Sequence, residues 1–349
     1  MLGDLLMKHQ AAHFLLHRLP QTHSSILSSS QSPKGFSDFA VLINVNYNSD
    51  MDGRVYLSAS TDAVDAACIT KEHAVRDFAK TAQVSLSKIG AIGDSANDLP
   101  FLTIPNLGLI GAPLNAQPRV RATVANLKNS IQLSTNFVEA FLEFYRAAEQ
   151  RGILYIFAGK DGVLAWRQSS AQQLAGLNAI FRVAGFRPHP FGFVLTGSSY
   201  EQNIQFLHSA GLDRAFAQNP KVREHPSLVL AENGAVQINA LTGEARENRD
   251  MLDLSLIAWL KGSFERDVVL LVEKEVLPRF KLTWSSSADD QVQSVWLPRK
   301  QTMVTMNIPK ISRDGRDYRM SARGTQLGHA ILNCMVKVTE ASDVPYTIL

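Results

Sequence analysis

The sequence predicts an α/β protein in which a doubly wound parallel sheet is joined to a smaller α+β region. Short buried strands alternate with helices along two stretches of the chain, 63–135 and 151–249, and such alternation favours a parallel sheet. Beyond about residue 250 the pattern changes to helices and longer strands, which indicates a different layer type. The 349 residues, of which 45% are hydrophobic, can supply a core for this architecture.

Composition argues against several classes of partner. A net charge of +3 is too small to indicate a nucleic acid or a membrane surface, because that inference needs a clustered basic field. The basic residues of 299–323, which include Lys300, could meet an anionic partner or substrate, but acidic residues are interleaved with them, so a solvated surface is favoured. Cys68 and Cys334 match neither a disulfide framework nor a zinc pattern, so a reducing, cytoplasmic setting is expected. No apolar run approaches the roughly 20 residues that cross a bilayer.

The N-terminal segment, 1–35, is predicted to be an added helix followed by a Ser-rich linker. Because residues 5–37 contain no acidic side chain, an export or organelle-targeting signal is the alternative. His9, His13 and His17 share one face of the predicted helix. With no carboxylate nearby, they favour a solvated face over a metal site.

The next elements are strands. Two of them, 39–45 and 54–60, are separated by a turn-rich segment and predict a hairpin in 36–62, which we assign to the smaller region. Thr70 is a plausible N-cap for the helix that follows. That helix and the two apolar strands after it are predicted at 71–82, 88–93 and 107–110.

A long helix, 136–150, is predicted to connect the two α/β stretches, and Phe137, Phe141 and Phe144 lie on it at the spacing of a core-facing stripe. The second stretch is predicted to contain strands at 153–157, 193–195 and 228–231 and a helix from about residue 170. In the last region, 250–349, we expect helices at 252–264 and 325–340 and strands at 267–274, 279–285, 293–298 and 301–308.

The loop after the strand at 88–93 carries the most informative side chains. Asp94 and Asp98 follow a buried strand, at the edge where open parallel sheets bind ligands. Their carboxylates can hold a hard divalent cation such as Mg²⁺, with Asn97 orienting them. The same residue types also suit the start of a helix, which is the alternative.

The stretch 90–102, GAIGDSANDLPFL, resembles the fourth motif of haloacid dehalogenase (HAD) phosphatases, particularly the Cof-like sugar-phosphate phosphatases with a large cap. TKEHAV, which begins at Thr70, resembles the third motif. In that family the lysine neutralises the phosphate and the acidic residues bind magnesium. The resemblance therefore implies a Rossmann-like HAD core with an α+β cap, phosphate binding by Lys71 and Mg²⁺ binding by Asp94 and Asp98.

The other half of the family signature lies downstream. The stretch 157–164, FAGKDGVL, aligns with the first motif, D-x-D-G-T-L. The stretch 194–198, VLTGS, resembles the second motif, in which Thr196 and Gly197 would bind phosphate. ENGA, which begins at Glu232, resembles the turn that precedes the cap.

This order of motifs has two explanations. Either 1–135 is the tail of one domain and 151–349 the head of another, or the chain is a circular permutant. Two half-sheets would leave exposed apolar edges, whereas permutation completes one sheet and one site. We therefore favour permutation, with 63–135 as the C-terminal half of the core, 151–249 as its N-terminal half and 250–349 as the cap. A homodimer that exchanges halves between two chains would make the same contacts and stays open.

The first motif departs from the family at the nucleophile. The aspartate that attacks phosphorus in the family is replaced by Gly159, and Val163 replaces the usual threonine. Asp161 keeps the position of the general acid and base, and Ser198 replaces the arginine of the second motif. We expect a protein that binds a phosphorylated small molecule, with a sugar phosphate as the favoured class, without efficient phosphatase turnover.

Two other functions stay open. Water or a substrate oxygen could attack phosphorus directly with Asp161 as the base, which would keep the protein a phosphohydrolase or phosphotransferase. Alternatively, the N-terminal helix and the cap could be partner surfaces of a non-catalytic interaction or scaffold protein, such as a secreted effector.

Overall fold

The fold is that of a computed structural model, which describes residues 53–60, 63–164, 169–223, 227–285, 292–310, 317–319 and 321–349. The predicted N-terminal helix, the Ser-rich linker and the strand at 39–45 lie outside the described residues. Among the described helices, none combines the length and the apolar character needed to cross a membrane.

The strands form two sheets. In chain order they are β1 (Val55–Ala59), β2 (Ala63–Ala67), β3 (Ile89–Ile92), β4 (Leu109–Ala112), β5 (Ser130–Gln132), β6 (Tyr155–Gly159), β7 (Phe191–Leu195), β8 (Ser227–Ala231), β9 (Val236–Asn239), β10 (Ala245–Glu247), β11 (Thr283–Ser285), β12 (Ser294–Trp296), β13 (Met303–Asn307) and β14 (Tyr346–Ile348). The larger sheet has the order β10-β9-β8-β7-β6-β3-β4-β5 and the smaller one β11-β12-β13-β2-β1-β14.

The helices follow the same order along the chain. They are α1 (Lys71–Thr81), α2 (Leu99–Leu102), α3 (Pro118–Ala125), α4 (Phe137–Gln150), α5 (Ala171–Val183), α6 (Tyr200–Ser209), α7 (Leu212–Ala217), α8 (Leu254–Trp259), α9 (Glu265–Leu271), α10 (Leu277–Phe280) and α11 (Ala322–Ala341).

The centre of the larger sheet is parallel and combines the two predicted α/β stretches. Strand β3 of the first stretch pairs in parallel with β6 of the second, with Ile89 opposite Tyr155 and Ile92 opposite Ala158. From β8 to β5 every neighbouring pair is parallel, and β9 and β10 add an antiparallel edge. One chain therefore supplies both groups of strands to one sheet.

Helices cover both faces of this sheet. Ala91 and Phe157 are register partners and share one face, where the ring of Phe157 lies 5.4 Å from that of Phe78 on α1. Gly90 belongs to the opposite face, because side chains alternate along a strand. A Cβ atom at Gly90 would lie 3.3 Å from the ring of Phe144 on α4. The predicted α/β class with a doubly wound, Rossmann-like sheet is confirmed.

The smaller sheet and its helices form the cap, which we define as residues 53–67 and 252–349. Its strands also come from distant parts of the chain, since β2 pairs antiparallel with both β1 and β13. The segment 63–67, which we predicted to begin the core, therefore belongs to the cap. It forms a hairpin with β1, which ends four residues before it, so the prediction placed the boundary between cap and core a few residues too early.

The strand predicted over 267–274 is wrong, since this stretch is helical. Helices α8, α9 and α10 are joined by wide π-type turns, Leu260–Phe264 and Val272–Val276. The buried apolar side chains repeat every four residues and not every two, which is a helical spacing. They are Leu260, Phe264, Val268, Val272 and Val276. The β-branched composition of this stretch was a weaker signal than its period.

Candidate functional site

Four loops meet at one edge of the larger sheet. Each follows a different strand among β3, β6, β7 and β8, which are neighbours in the sheet. Because these strands are parallel, their carboxyl ends lie at the same edge. The loops are 93–98 after β3, the π-type turn Lys160–Leu164 after β6, 196–198 after β7, and Glu232–Gly234 after β8.

Lys71 and Asp98 form a buried ion pair at this edge. The Lys71 Nζ atom lies 2.5 Å from Asp98 Oδ1, and the two side chains are only 6% and 1% exposed. The other carboxylate oxygen, Oδ2, accepts hydrogen bonds from the backbone N–H groups of Asp94 and Ser95 at 2.9 and 3.1 Å and from the Ser95 hydroxyl at 3.0 Å. The ion pair joins the 93–98 loop to the first residue of α1. Removing either partner would leave the other as an unpaired buried charge, which is strongly destabilising.

Gly159 ends β6 and faces the two carboxylates of the 93–98 loop. A Cβ atom built at position 159 would lie 3.6 Å from Asp98 Oδ2 and 3.8 Å from Asp94 Oδ1. The nearest atom would be Val163 Cγ2 at 3.4 Å, which is an ordinary van der Waals distance, so the position has room for a side chain. The structure thus places Gly159 next to Asp94 and Asp98. Lys71 belongs to the same group through its ion pair with Asp98.

The turn that follows β6 packs directly on the Asp94 carboxylate. A Cβ atom at Gly162 would lie 1.8 Å from Asp94 Oδ2, so only glycine fits there. Asn115 fixes the same turn, because its amide donates to the Gly162 carbonyl at 2.8 Å and its Oδ1 accepts from the Phe137 N–H at 3.0 Å. The sequence analysis did not point to Asn115, which lies outside all of the quoted motifs.

The loop 196–198 is a cluster of hydroxyl groups next to Gly159. Leu195 is the register partner of Gly159, and Thr196 follows it directly. Thr196 is buried, and its Oγ1 accepts from the Ser198 N–H at 3.1 Å and lies 3.1 Å from the Ser198 hydroxyl. The Ser198 hydroxyl is in turn 3.3 Å from Asp161 Oδ2, and the Asp161 side chain is 72% exposed. Thr196, Gly197 and Asp161 therefore lie at the same edge as Gly159.

Lys160 is a site residue that the sequence did not indicate. Its side chain is 5% exposed, and its Nζ donates to Ser198 Oγ at 2.7 Å and lies 3.6 Å from Asp161 Oδ1. A lysine beside Asp161 in a loop is usually solvated, and nothing in its neighbours along the chain marks it as buried.

Lys300 reaches this edge from the cap, so its assignment to a solvated surface is wrong. Its Nζ donates to the Gly197 carbonyl at 2.6 Å and to Thr305 Oγ1 at 2.5 Å, and lies 3.8 Å from Asp65 Oδ1. Burial lowers the pKa of Lys300, and the carboxylates of Asp65 and Glu232 oppose that shift. The bonds to Gly197 and Thr305 join the cap to the 196–198 loop.

Glu232 forms hydrogen bonds with the next two residues of the cap, Gln301 and Thr302. Its carboxylate accepts from the Gln301 N–H at 3.0 Å and from both the N–H and the hydroxyl of Thr302 at 2.8 Å. The turn continues through Gly234, whose φ is +100° and whose missing Cβ would lie 2.3 Å from Ala74 Cβ. The predicted ENGA turn is therefore a junction between core, cap and α1.

The donor set at this edge does not complete a magnesium site. Asp98 already bonds Lys71, two N–H groups and a hydroxyl, and the Asn97 oxygen accepts from the Ser95 hydroxyl. Gly159 contributes no carboxylate to Asp94 and Asp98. Within the described ranges no group of three or more His, Cys, Asp or Glu side chains is arranged to hold a metal ion. The residues present fall short of what a tightly held Mg²⁺ requires.

Comparison with known families bears on the first part of the chain. Residues 27–131 match the family of haloacid dehalogenase-like hydrolases. The matched HAD-like stretch is less than a third of the chain and contains Lys71, Asp94 and Asp98. It does not reach Gly159 or Thr196, so the first and second HAD motifs rest on resemblance alone. The match supports the predicted relation to HAD-like hydrolases. No curated protein and no solved structure matches the chain.

Proposed function

We propose that this chain binds a phosphorylated small molecule at the carboxyl edge of the larger sheet and that a sugar phosphate is the class to test first. The observation that carries the proposal is the convergence of position 159, the Lys71–Asp98 pair and the hydroxyl loop at 196–198. An ammonium group and hydroxyl donors at the ends of parallel strands are suited to a phosphate. The HAD-like match of 27–131 agrees with this chemistry.

Turnover by a covalent phosphoryl-enzyme is not part of the proposal. Gly159 has no atom that could attack phosphorus, and the nearest carboxylate, that of Asp98, is held by Lys71 and by three further donors. A carboxylate in that setting is a poor nucleophile, because its lone pairs already accept hydrogen bonds. The site is suited to binding more than to cleavage by the family's route.

Circular permutation is the arrangement that we propose for the chain. It is supported by the parallel pairing of β3 with β6 and by the closeness of Gly159 to Asp94 and Asp98, which are separated in sequence by about 60 residues. Helix α4 runs between the two stretches and packs Phe144 on β3. It has the position expected of a new connection.

Direct attack on phosphorus is the second candidate, and the exposure of Asp161 favours it. This carboxylate is 72% exposed beside Lys160 and Ser198, so it can reach a water molecule. Asp161→Asn separates this candidate from simple binding. If the unmodified chain hydrolyses a generic phosphate ester at about 1 s⁻¹ or faster, the variant should lose that activity under direct attack, and an unchanged rate would exclude Asp161 as the base.

Binding is tested by titrating inorganic phosphate into the full chain in a calorimeter. Thr196→Val removes the buried hydroxyl while keeping the shape, and we expect about tenfold weaker binding. The matched control is Thr103→Val, since Thr103 is exposed and its hydroxyl donates to carbonyl groups of the preceding helix α2, those of Leu99 and Pro100. Failure of the unmodified chain to bind phosphate, or equal weakening by both variants, would contradict the proposal.

A further inference from the structure

Lys160 lies close to a hydroxyl group, a carboxylate and a second lysine. Its ammonium donates to the Ser198 hydroxyl at 2.7 Å, on the loop that contains Thr196, and lies 3.6 Å from an oxygen of Asp161. It is also close enough to Lys300 for its charge to lower the pKa of that residue. A side chain with 5% exposure that is surrounded in this way carries a charge with little water to screen it.

The position of this ammonium matters because of the residue that it contacts. Ser198 stands where the arginine of the second motif is expected from the resemblance, so the 196–198 loop lacks a charge of its own. The bond from Lys160 Nζ to Ser198 Oγ brings a positive charge to that loop from the first motif. A charged donor forms shorter and stronger hydrogen bonds to phosphate oxygens than a neutral one.

The carboxylates on the other side of the site also favour phosphate binding by Lys160. Asp94 and Asp98 are the two carboxylates that face position 159, and the Asp98 charge is paired with Lys71. Gly159 adds no third carboxylate, so this edge carries less negative charge than the family's D-x-D pattern would give. Less negative charge favours a phosphate and disfavours a divalent cation.

We propose that Lys160 is the phosphate-binding cation of this site and that the site binds its phosphate without a divalent metal. This inference rests on the proposed function, since it names the group that binds the phosphate and the ion that is not needed. The ligand class is a phosphate monoester dianion whose oxygens accept from Lys160, Thr196 and Ser198.

The first experiment uses the unmodified full chain and inorganic phosphate, titrated calorimetrically in EDTA and again in excess Mg²⁺. We expect the two dissociation constants to agree within about twofold. Phosphate binding that is about tenfold tighter or more in Mg²⁺ would overturn the inference and leave the proposed function intact. Absence of phosphate binding in both buffers would instead overturn the proposed function, and the inference with it.

The second experiment changes the charge at position 160. We expect Lys160→Gln to weaken phosphate binding about tenfold to hundredfold, because a hydrogen bond from a charged donor is lost, and Lys160→Arg to keep most of it. Lys128→Met is the control, since Lys128 is exposed and lies outside the site. Loss of one phosphate contact should also reduce the dependence of binding on salt concentration. Unchanged affinity and salt dependence in a folded Lys160→Gln variant would refute the assignment of Lys160.

Discussion

Gly159→Asp would place a third carboxylate opposite Asp94 and Asp98. The backbone at 159 does not have a positive φ, and the atoms nearest to a new Cβ lie 3.4 to 3.8 Å away. The substitution is therefore accommodated sterically, and its effect is electrostatic. The variant tests whether position 159 faces the two carboxylates as the structure has it.

The size of the effect follows from these distances. At an effective dielectric constant of about 20, a like charge about 5 Å away raises the free energy by about 3 kcal/mol. Two such carboxylates face the new one, and the Lys71 ammonium, which bonds Asp98, offsets about one of them. The net loss is about 3 kcal/mol, which lowers the thermal midpoint of a chain of this size by about 4 °C. A cation that binds the three carboxylates and is present at about 100 times its dissociation constant would return about 2.7 kcal/mol.

The assay is thermal unfolding of three proteins, each measured in EDTA and in excess Mg²⁺. Gly159→Asp should melt about 4 °C below the unmodified chain in EDTA and recover most of that difference in Mg²⁺. Gly159→Asn has the same shape without the charge, so it should respond to neither the new repulsion nor the metal. Equal midpoints for the Asp and Asn variants in EDTA would refute the reasoning. So would a Mg²⁺ stabilisation of the unmodified chain as large as that of Gly159→Asp.

Two further predictions concern a packed glycine and a buried thiol. Gly162→Ala should destabilise the fold by about 2 kcal/mol or more and displace the Asp94 carboxylate, because the new Cβ would overlap that group. The control, Gly262→Ala, has open space around it and should be neutral or stabilising by up to about 1 kcal/mol. Chemical denaturation of both variants measures the difference. Burial raises the pKa of Cys334 from 9.0 to about 11. The thiol therefore contributes stability below pH 9 that is lost as pH rises towards 11, by at most about 1.4 kcal/mol per pH unit, and Cys334→Ala should show a shallower decline in denaturation curves over that range. An equal decline in both proteins would exclude the thiol as its source.

The site could be predicted where its signal is local. Asp94 follows the buried residues of β3, and Asp98 ends the short helical turn that comes next, so their place at the end of β3 follows from a few neighbouring residues. The same holds for Thr196 after β7. Once β3 and β6 are placed in the same sheet, the convergence of these loops follows, because the carboxyl ends of parallel strands lie at one edge.

Prediction failed where the partner lies far away along the chain. The burial of Lys160 depends on Ser198, and that of Lys300 on Gly197, about 100 residues before it. A lysine carries no mark of such a partner, and composition places it in solvent by default. Charged residues become buried when distant segments supply their hydrogen bonds, and no window of sequence contains both.

Hydrogen bonds to Lys300 and Glu232 join the cap to the loops of the candidate site. Lys300 donates to the Gly197 carbonyl, while Glu232 accepts from three donors of Gln301 and Thr302. Hydrogen bonds to charged groups contribute about 1.5–3 kcal/mol each, so separating the cap from this edge would break several such bonds at once. The 196–198 loop therefore has its position set from two sides, by Lys160 on the core and by Lys300 on the cap. Both lysines contact the loop that contains Thr196, and neither of these contacts involves position 159.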